Sequence, residues 1–328
     1  MIKQLSMAAV LMLLAACAPR VQEFAGAARV PSLVPRMADE LGGGVLVSSD
    51  GTRLPMRVWA AEGDPRAIIV ALHGFNDYRN AFDMPARWWA PHGVTTYAYD
   101  QRGFGATDQP GVWAPEDALI ADVHAAVVAV RTRHPNVPLY LLGESMGGAV
   151  VMSAVAELDG ALNVDGLVLS APAVWGWSSL NPLYRSMLWL SAHTVPWKKL
   201  TGEGVEVTPS DNREMLIALG RDHLVIKATR VDAIYGLVNL MERASQAASK
   251  LRTPTLVLYG AGDDIIPPDA FAATLKTLTG PRRIVKYQHG YHMLLRDLQA
   301  ETVWRDVLAW MADQDGPLPS GEEETGKL

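Results

Sequence analysis

The chain reads LYLLGESMGGAV from Leu139 to Val150, and this stretch decides the fold. Its apolar opening is typical of a strand buried on both faces, and the small residues after Gly147 begin a helix pattern. Between them stands the motif G-x-S-x-G, whose glycines permit a sharp turn from strand to helix. The stretch predicts that Ser145 projects as a nucleophile at the carboxyl end of a sheet, near a helix N-terminus. The alternative is a tight turn in which Ser145 only caps the helix.

The sequence on both sides of this motif alternates between short apolar runs and helix patterns. One helix pattern follows Pro115, carries apolar residues at spacings of three and four, and stops at His134-Pro135. A hairpin is indicated where Val45–Ser49 and Arg53–Ala60 flank Asp50-Gly51. The alternation indicates a mostly parallel central sheet with helices on both faces, the α/β class. The runs interpreted as its strands are Ala67–Leu72, Val94–Tyr99, Pro138–Leu142, Val164–Leu169 and Thr255–Tyr259.

The alternation breaks once, between about residues 173 and 250, where helical and loop sequence shows no convincing strand. We interpret this region as a helical cap inserted into a single domain that spans residues 41–312. Residues 17–40 are interpreted as a tether with weak structure. Residues 313–328 are rich in Gly, Pro and Glu and are interpreted as a flexible acidic tail.

A serine hydroxyl needs a base before it becomes a good nucleophile, and the chain contains eight histidines. His292 follows the apparent strand Arg283–Gln288 and precedes a final helix pattern, so it lies on a loop at the same sheet edge as Ser145. His289 is the rival, three residues earlier, and we interpret it as a structural polar residue at the strand end. His292 is therefore the predicted base.

The base in turn needs a carboxylate that orients it and stabilises the imidazolium. The strand Thr255–Tyr259 is followed by Gly260-Ala261-Gly262-Asp263-Asp264, and either aspartate is a candidate. With either choice the chain order is Ser, Asp, His, the order expected of enzymes that carry the G-x-S-x-G turn.

The attacked carbonyl becomes an oxyanion, which preorganised backbone N–H groups should stabilise. Met146 follows the nucleophile directly and supplies the first predicted donor. The sequence Leu72-His73-Gly74-Phe75 ends an early strand, so the N–H of Phe75 is the second predicted donor. His73 is expected to hold this loop through its ring nitrogens rather than to take part in the chemistry.

These motifs together resemble the α/β-hydrolase superfamily, and within it the monoacylglycerol lipase and lysophospholipase branch. The resemblance implies that the acid is the aspartate of a G-x-x-D-x-x-x-P stretch, which is Asp263 in this chain. Glu144 departs from the pattern, because many relatives carry histidine there. The resemblance covers residues 67–312 and is weakest in the insertion. Its motifs are His73-Gly74-Phe75, Asp100–Gly105, Gly143–Gly148, Gly260–Pro267 and Gly290-Tyr291-His292.

Four of the ten tryptophans lie close together in the insertion, at Trp175, Trp177, Trp189 and Trp197. A cap lined by such side chains would bind an acyl chain, and Trp175 and Trp177 are the predicted substrate-binding residues. The alternative is that the tryptophans only pack the cap against the sheet. The resemblance implies that the substrate is a monoacylglycerol or a lysophospholipid.

Composition limits the partners of this chain. A formal net charge of −6 leaves no basic surface for a nucleic acid. No cluster of residues shows metal-ligand spacing, so neither a metal nor another cofactor is expected. The predicted function is hydrolysis of a lipid-like carboxylic ester through an acyl-enzyme. The alternatives are an aminopeptidase or acyltransferase on the same scaffold, and a non-catalytic binding protein that keeps the fold.

Residues 1–16 are interpreted as a signal peptide. Lys3 supplies a positive charge, and the run Leu5–Ala16 is apolar but short for a membrane span. The run ends in Leu14-Ala15-Ala16-Cys17, which resembles the lipobox of bacterial lipoproteins and contains the one cysteine of the chain. This resemblance implies lipid attachment at Cys17 and anchoring to a bacterial membrane after export. Ala18 in the next position favours the outer membrane, on its periplasmic side.

Overall fold

The computed structural model describes residues 18–26, 29–35, 43–158, 160–204 and 206–324. Cys17 and the interpreted signal peptide lie outside these described residues. The strands are β1 (Ser32–Pro35), β2 (Gly43–Val47), β3 (Arg53–Trp59), β4 (Ala67–Leu72), β5 (Val94–Tyr99), β6 (Leu139–Glu144), β7 (Gly166–Ser170), β8 (Lys199–Thr201), β9 (Ala228–Arg230), β10 (Thr255–Gly260) and β11 (Arg282–Tyr287). The α-helices are α1 (Asp83–Trp89), α2 (Glu116–Arg133), α3 (Met146–Glu157), α4 (Pro182–Thr194), α5 (Arg213–Arg221), α6 (Val231–Ala247), α7 (Pro268–Thr277) and α8 (Ala300–Ala312).

One large sheet has the strand order β1-β2-β3-β5-β4-β6-β7-β10-β11. The pairings from β1 to β5 are antiparallel, and those from β5 to β11 are parallel. Strands β4, β5, β6, β7 and β10 are buried along their whole length. Strands covered on both faces read as continuous apolar runs, which is why the sequence revealed them. The predicted α/β fold with a mostly parallel sheet is confirmed.

Helices cover the two faces of this sheet with separate apolar clusters. On one face α1 and α8 pack together, and the indole N–H of Trp89 donates to the carbonyl oxygen of Trp304 at 3.0 Å. On the other face α2, α3, α6 and α7 share a larger cluster that includes Leu119, Val150 and Phe271. The sheet is therefore a rigid middle layer, and the loops at its carboxyl edge are held from both sides.

The strand order places β4 and β6, the strands that lead into the His73 loop and into Ser145, side by side. β4 lies between β5 and β6, so the chain leaves β4 toward one side of the sheet and later returns on the other. Ligands of open parallel sheets bind at the carboxyl ends of strands where the order reverses in this way. His73-Gly74-Phe75 follows β4 and Ser145 follows β6, so both lie at this position.

The cap lies between β7 and β10 and contains α4, α5 and α6. The sequence showed no convincing strand here, whereas the structure contains a short antiparallel pair, β8 with β9. Three-residue strands that pair across a long loop leave no periodic signal in the sequence. Helix α6 packs its apolar face on α3, so this part of the insertion belongs to the core. No helix in the described ranges is long and apolar enough to cross a membrane.

Both ends of the described chain lie along edges of the sheet. Residues 17–40 were interpreted as a loosely structured tether, but β1 pairs with β2, and the Gln22 N–H donates to the carbonyl oxygen of Trp113. Residues from 313 onward were interpreted as a flexible tail, but Leu318 is buried and Glu323 pairs with Arg283 of the edge strand β11. Edge strands expose unpaired backbone groups, and these terminal segments satisfy some of them. Composition alone did not reveal this pairing.

Candidate active site

The turn between β6 and α3 holds Ser145 in a strained conformation. Its backbone has φ 53° and ψ −116°, a region that costs a non-glycine residue about 1–3 kcal/mol. The Ser145 N–H donates to the carbonyl oxygen of Ser170 at 2.9 Å, and the Ser145 carbonyl accepts from the Ala173 N–H at 2.9 Å. These bonds to the end of β7 and to the loop after it hold the backbone of Ser145 on both sides. The observed geometry is that of a nucleophile elbow, so Ser145 does more than cap a helix.

Two glycines of the motif are needed because other backbone approaches too closely. A Cβ atom at Gly147 would overlap the carbonyl oxygen of Leu72, at the end of β4. A Cβ atom at Gly143 would lie 2.5 Å from the carbonyl oxygen of Gly147. The elbow therefore packs directly against the strand that leads into the His73 loop, and this contact brings the two loops together.

His292 and Asp263 form the predicted pair. The Nδ1 atom of His292 lies 2.9 Å from Oδ2 of Asp263, and both residues are buried. The other carboxylate oxygen accepts the backbone N–H groups of Ile265 and Ile266 at 2.9 and 3.1 Å. Three donors thus hold the carboxylate in place. A carboxylate fixed in this way keeps Nδ1 protonated and leaves Nε2 as the basic atom of the ring.

The rival residues lie elsewhere. Asp264 is exposed and accepts the Thr208 N–H, while His289 is exposed on the turn after β11. Neither lines the cavity that contains Ser145 and His292. The structure therefore brings together Ser145, Asp263 and His292. Their catalytic roles stay a prediction for mutagenesis.

The two predicted oxyanion donors belong to two segments next to Ser145. Phe75 lines the cavity on the loop after β4, and Met146 is the first residue of α3. N–H groups in the first turn of a helix have no partner inside that helix, and the helix dipole favours negative charge there. The predicted pair of donors is therefore consistent with the fold.

His73 holds the loop that contains Phe75. Its Nδ1 donates to the carbonyl oxygen of Gly74 at 2.8 Å, and its Nε2 accepts the Gln101 N–H at 3.0 Å. This arrangement requires a neutral ring, and burial lowers the pKa of His73. The structural role expected for His73 agrees with these contacts.

An apolar cavity of about 360 Å³ opens onto Ser145 and His292. Trp175 lines it, as predicted. Trp177 does not: its indole N–H donates to Asn239 at 2.7 Å, and its ring packs against Tyr235 on the outer side of the cap. The apolar wall consists of Phe75, Ala173, Trp175, Leu180, Ile234, Leu237, Val238, Met241, Ile265, Ile266 and Met293. Much of this wall comes from α6, whose contribution sequence reasoning missed.

A buried cluster of charges also lines the cavity, and the sequence did not predict it. Arg296 contacts Asp77 at 2.7 Å and Glu144 at 3.2 Å. Burial by itself lowers the pKa of Arg296, but the two carboxylates outweigh burial and raise that pKa, so the guanidinium stays charged. The departure at Glu144 was the one sequence signal for this cluster, since charged residues such as Arg296 are usually solvated.

Within the described ranges, no group of three or more His, Cys, Asp or Glu side chains is placed to hold a metal ion. The strained serine, the buried histidine–aspartate pair and the donors at a helix N-terminus define a serine hydrolase of the α/β-hydrolase fold.

The comparison with known families agrees with this class. Residues 63–299 match the family described as serine aminopeptidase, S33, and the chain belongs to that family. A monoacylglycerol lipase of Mycolicibacterium smegmatis is 27% identical over 267 residues, which are 80% of this chain and 93% of that protein. The human monoglyceride lipase is 26% identical over 281 residues, which are 82% of this chain and 90% of that protein.

Solved structures show the same fold. A soluble variant of the Saccharomyces cerevisiae monoglyceride lipase, in complex with a substrate analogue, superposes with a TM-score of 0.68 at 18% identity. The superposition covers 90% of this chain and 99% of the yeast chain. A monoacylglycerol lipase of Paleococcus ferrophilus gives a TM-score of 0.65 at 20% identity, over 80% of this chain and 99% of that one. Site, family and relatives together make this chain a serine hydrolase that acts on esters.

Proposed function

We propose that the chain hydrolyses monoacylglycerols, with Ser145, His292 and Asp263 as its catalytic triad. The observation that carries this proposal is the apolar cavity that ends at Ser145. Its wall is suited to an acyl chain, and each buried methylene contributes roughly 0.8 kcal/mol to binding. The relatives in bacteria and mammals that bear the name monoacylglycerol lipase support the same substrate.

The reaction proceeds in two halves. Ser145 Oγ attacks the ester carbonyl while His292 Nε2 takes its proton, and the N–H groups of Phe75 and Met146 stabilise the oxyanion. The intermediate collapses, His292 returns the proton to the leaving alcohol, and an acyl-serine remains. Water then attacks the acyl-serine while His292 takes a proton from that water. As the bond from the acyl carbon to Ser145 Oγ breaks, His292 gives this proton to Ser145 Oγ, which releases the fatty acid and restores the free serine.

An aminopeptidase activity is disfavoured by the state of the carboxylates in the cavity. A peptidase that trims N-terminal residues needs a carboxylate that binds the substrate amine. The cavity carboxylates Asp77 and Glu144 both contact Arg296, so an amine would compete with a fixed guanidinium. An ester without a charged amine avoids this competition.

The test is a substrate panel on the purified protein. It contains monoacylglycerols and lysophospholipids of matched acyl length, p-nitrophenyl esters, and an aminoacyl anilide. We expect the highest kcat/KM on monoacylglycerols, and fatty acid rather than a new ester when a second alcohol is added. Faster cleavage of the anilide, preference for lysophospholipids, or transfer to the alcohol would each contradict the proposal. Absence of turnover on every ester would favour a binding protein.

We also propose that the enzyme is exported and anchored to the outer membrane through lipid on Cys17. The charge of Lys3, the short apolar run before Leu14-Ala15-Ala16-Cys17, and Ala18 support this proposal. Two or more acyl chains anchor a protein stably, whereas one chain binds only marginally. Expression of the wild type and of Cys17→Ser in a Gram-negative host tests it. Mass spectrometry should find a lipidated cysteine in the wild-type membrane fraction. A soluble wild-type protein with unmodified Cys17 would refute it.

A further inference from the structure

Arg296 connects the three loops that contain the predicted catalytic groups. It lies four residues after His292 and contacts Asp77 on the loop of Phe75 and Glu144 directly before Ser145. All three charged residues are buried, with at most 5% of each exposed. Nη2 of Arg296 donates to both carboxylate oxygens of Glu144 at 3.2 and 3.3 Å, and Nη1 forms an ion pair with Asp77. One side chain therefore links the oxyanion loop, the nucleophile elbow and the histidine loop.

The charges of this cluster do not cancel. Two carboxylates face one guanidinium, and all three residues line the cavity in which the oxyanion would form. Charges interact strongly in a water-poor site. Without the guanidinium, two buried carboxylates would oppose the negative charge that develops on the substrate oxygen. With it, the net charge falls from two negative to one.

We infer that Arg296 is a positioning residue for ester hydrolysis, which holds the three loops together and compensates the Glu144 and Asp77 carboxylates beside Ser145. This inference rests on the proposed role of Ser145 but not on the identity of the acyl substrate. It explains how the chain accommodates a glutamate next to its nucleophile.

The protein contains a matched control for this inference. Arg102 is also buried and also contacts two aspartates, Asp50 and Asp122, both at 2.7 Å. None of these three residues lines the catalytic cavity. A buried arginine that only stabilises the fold should behave as Arg102 does, whereas a positioning residue should also change turnover.

The experiment measures kcat and KM on p-nitrophenyl butyrate, an ester without glycerol, so a wrong monoacylglycerol assignment does not affect it. Each kcat is divided by the fraction of protein that a fluorophosphonate finally labels, which corrects for misfolded material. We expect Arg296→Met to lower kcat by about 10²-fold, comparable to the loss of an oxyanion donor, with KM changed less than about threefold. Arg296→Lys, which keeps the charge, should stay within about tenfold of wild type.

The double variant Glu144→Gln with Arg296→Met separates charge from folding. Removal of the uncompensated carboxylate should recover about tenfold of the lost kcat, because neighbouring charges are not additive. Arg102→Met should lower the unfolding temperature and leave kcat per labelled site within about threefold of wild type.

Three outcomes would overturn the inference. They are a kcat for Arg296→Met within threefold of wild type, no recovery in the double variant, or an equal loss of kcat in Arg102→Met. If Arg296→Met does not fold, the double variant and Arg296→Lys decide the question. Loss of labelling in Ser145→Ala tests the proposed nucleophile separately.

Discussion

The carboxyl edge of the sheet and the outer surface of the cap distribute polar and apolar groups in opposite ways. At the sheet edge Asp263, His292 and Arg296 are buried, and each has a charged or hydrogen-bonded partner. On the cap, helix α4 buries only Ala192 of its thirteen residues. Its large side chains are open to solvent, with Leu183 63% exposed. The sheet edge therefore buries polar groups that have partners, whereas the outer face of α4 exposes apolar side chains to solvent.

This difference indicates that the sheet edge and the cap contribute to different properties of the enzyme. Groups at the sheet edge are held by strands and by backbone N–H donors, so their mutual geometry is rigid and suits a reaction. The cap lines the cavity with Ala173, Trp175, Leu180 and the inner face of α6. Substitutions at the sheet edge should therefore alter kcat. Substitutions in the inner wall of the cap should alter the preference for acyl length. Substitutions on the outer face of α4 should change the free energy of unfolding very little.

The largest effect is expected at Ser145. Ser145→Ala should abolish labelling by a fluorophosphonate and lower kcat by about 10⁶-fold, the scale of loss when a triad member is removed. The measurements are probe labelling on a gel and ester turnover. A cap variant with an equal loss would remove the contrast between the two regions. Turnover in Ser145→Ala near that of the wild type would disprove the mechanism.

The next effect is expected at Asp263, and its neighbour provides the control. Asp263→Asn should reduce kcat by up to ~10⁴-fold, because His292 loses the carboxylate that orients it. Asp264→Asn removes a charge one residue away, but Asp264 is exposed and contacts only the Thr208 N–H among its described partners. Its kcat should stay within about threefold of wild type. The reverse order of losses would show that Asp264 is the catalytic acid.

A smaller effect is expected at the inner wall of the cap. Trp175 lines the cavity, whereas Trp177 faces the outer groove of the cap. Each buried methylene contributes roughly 0.8 kcal/mol, about fourfold in kcat/KM. Trp175→Ala should change the slope of log kcat/KM against acyl length, and Trp177→Ala should leave that slope unchanged. If both variants kept the wild-type slope of log kcat/KM against acyl length, Trp175 would only pack the cap.

The smallest effect is expected at Leu183 on the outer surface of the cap, and a buried leucine of the cap serves as its matched control. Leu240 of α6 is fully buried, and Leu183 of α4 is largely exposed. Leu240→Ala should lower the free energy of unfolding by about 2–5 kcal/mol. Leu183→Ala should change it by less than about 0.5 kcal/mol. Urea denaturation measures both. An equal loss would show that α4 packs against another surface in solution.

The parts of the fold and site that the sequence predicted depend on local patterns. Three local features indicate the site: the G-x-S-x-G turn, the continuous apolar strands, and the chain order Ser, Asp, His. Because parallel strands end at one edge of the sheet, these features place Ser145, Asp263 and His292 at the same edge. The structure places Asp263 and His292 in contact, and it places Ser145 in the cavity that His292 lines, while the catalytic roles of the three residues stay a prediction. The choice of Asp263 over Asp264 needed the family resemblance, as both aspartates satisfy the local pattern.

What only the tertiary structure decided depends on distances between segments far apart in the chain. Arg296 and Asp77 lie on two loops and Glu144 ends β6, and the local sequence at each of these residues does not identify the other two. The same reason explains Trp177, which the sequence placed with Trp175. Only Gly176 separates the two tryptophans, yet Trp175 lines the catalytic cavity and Trp177 lines the outer groove of the cap. Pairing of β1 and of Glu323 with the sheet edges was also hidden, because edge hydrogen bonds use backbone groups that every residue carries. Periodicity in the sequence indicates which face of a helix or strand is buried, but only the tertiary structure determines which other segment packs against that face.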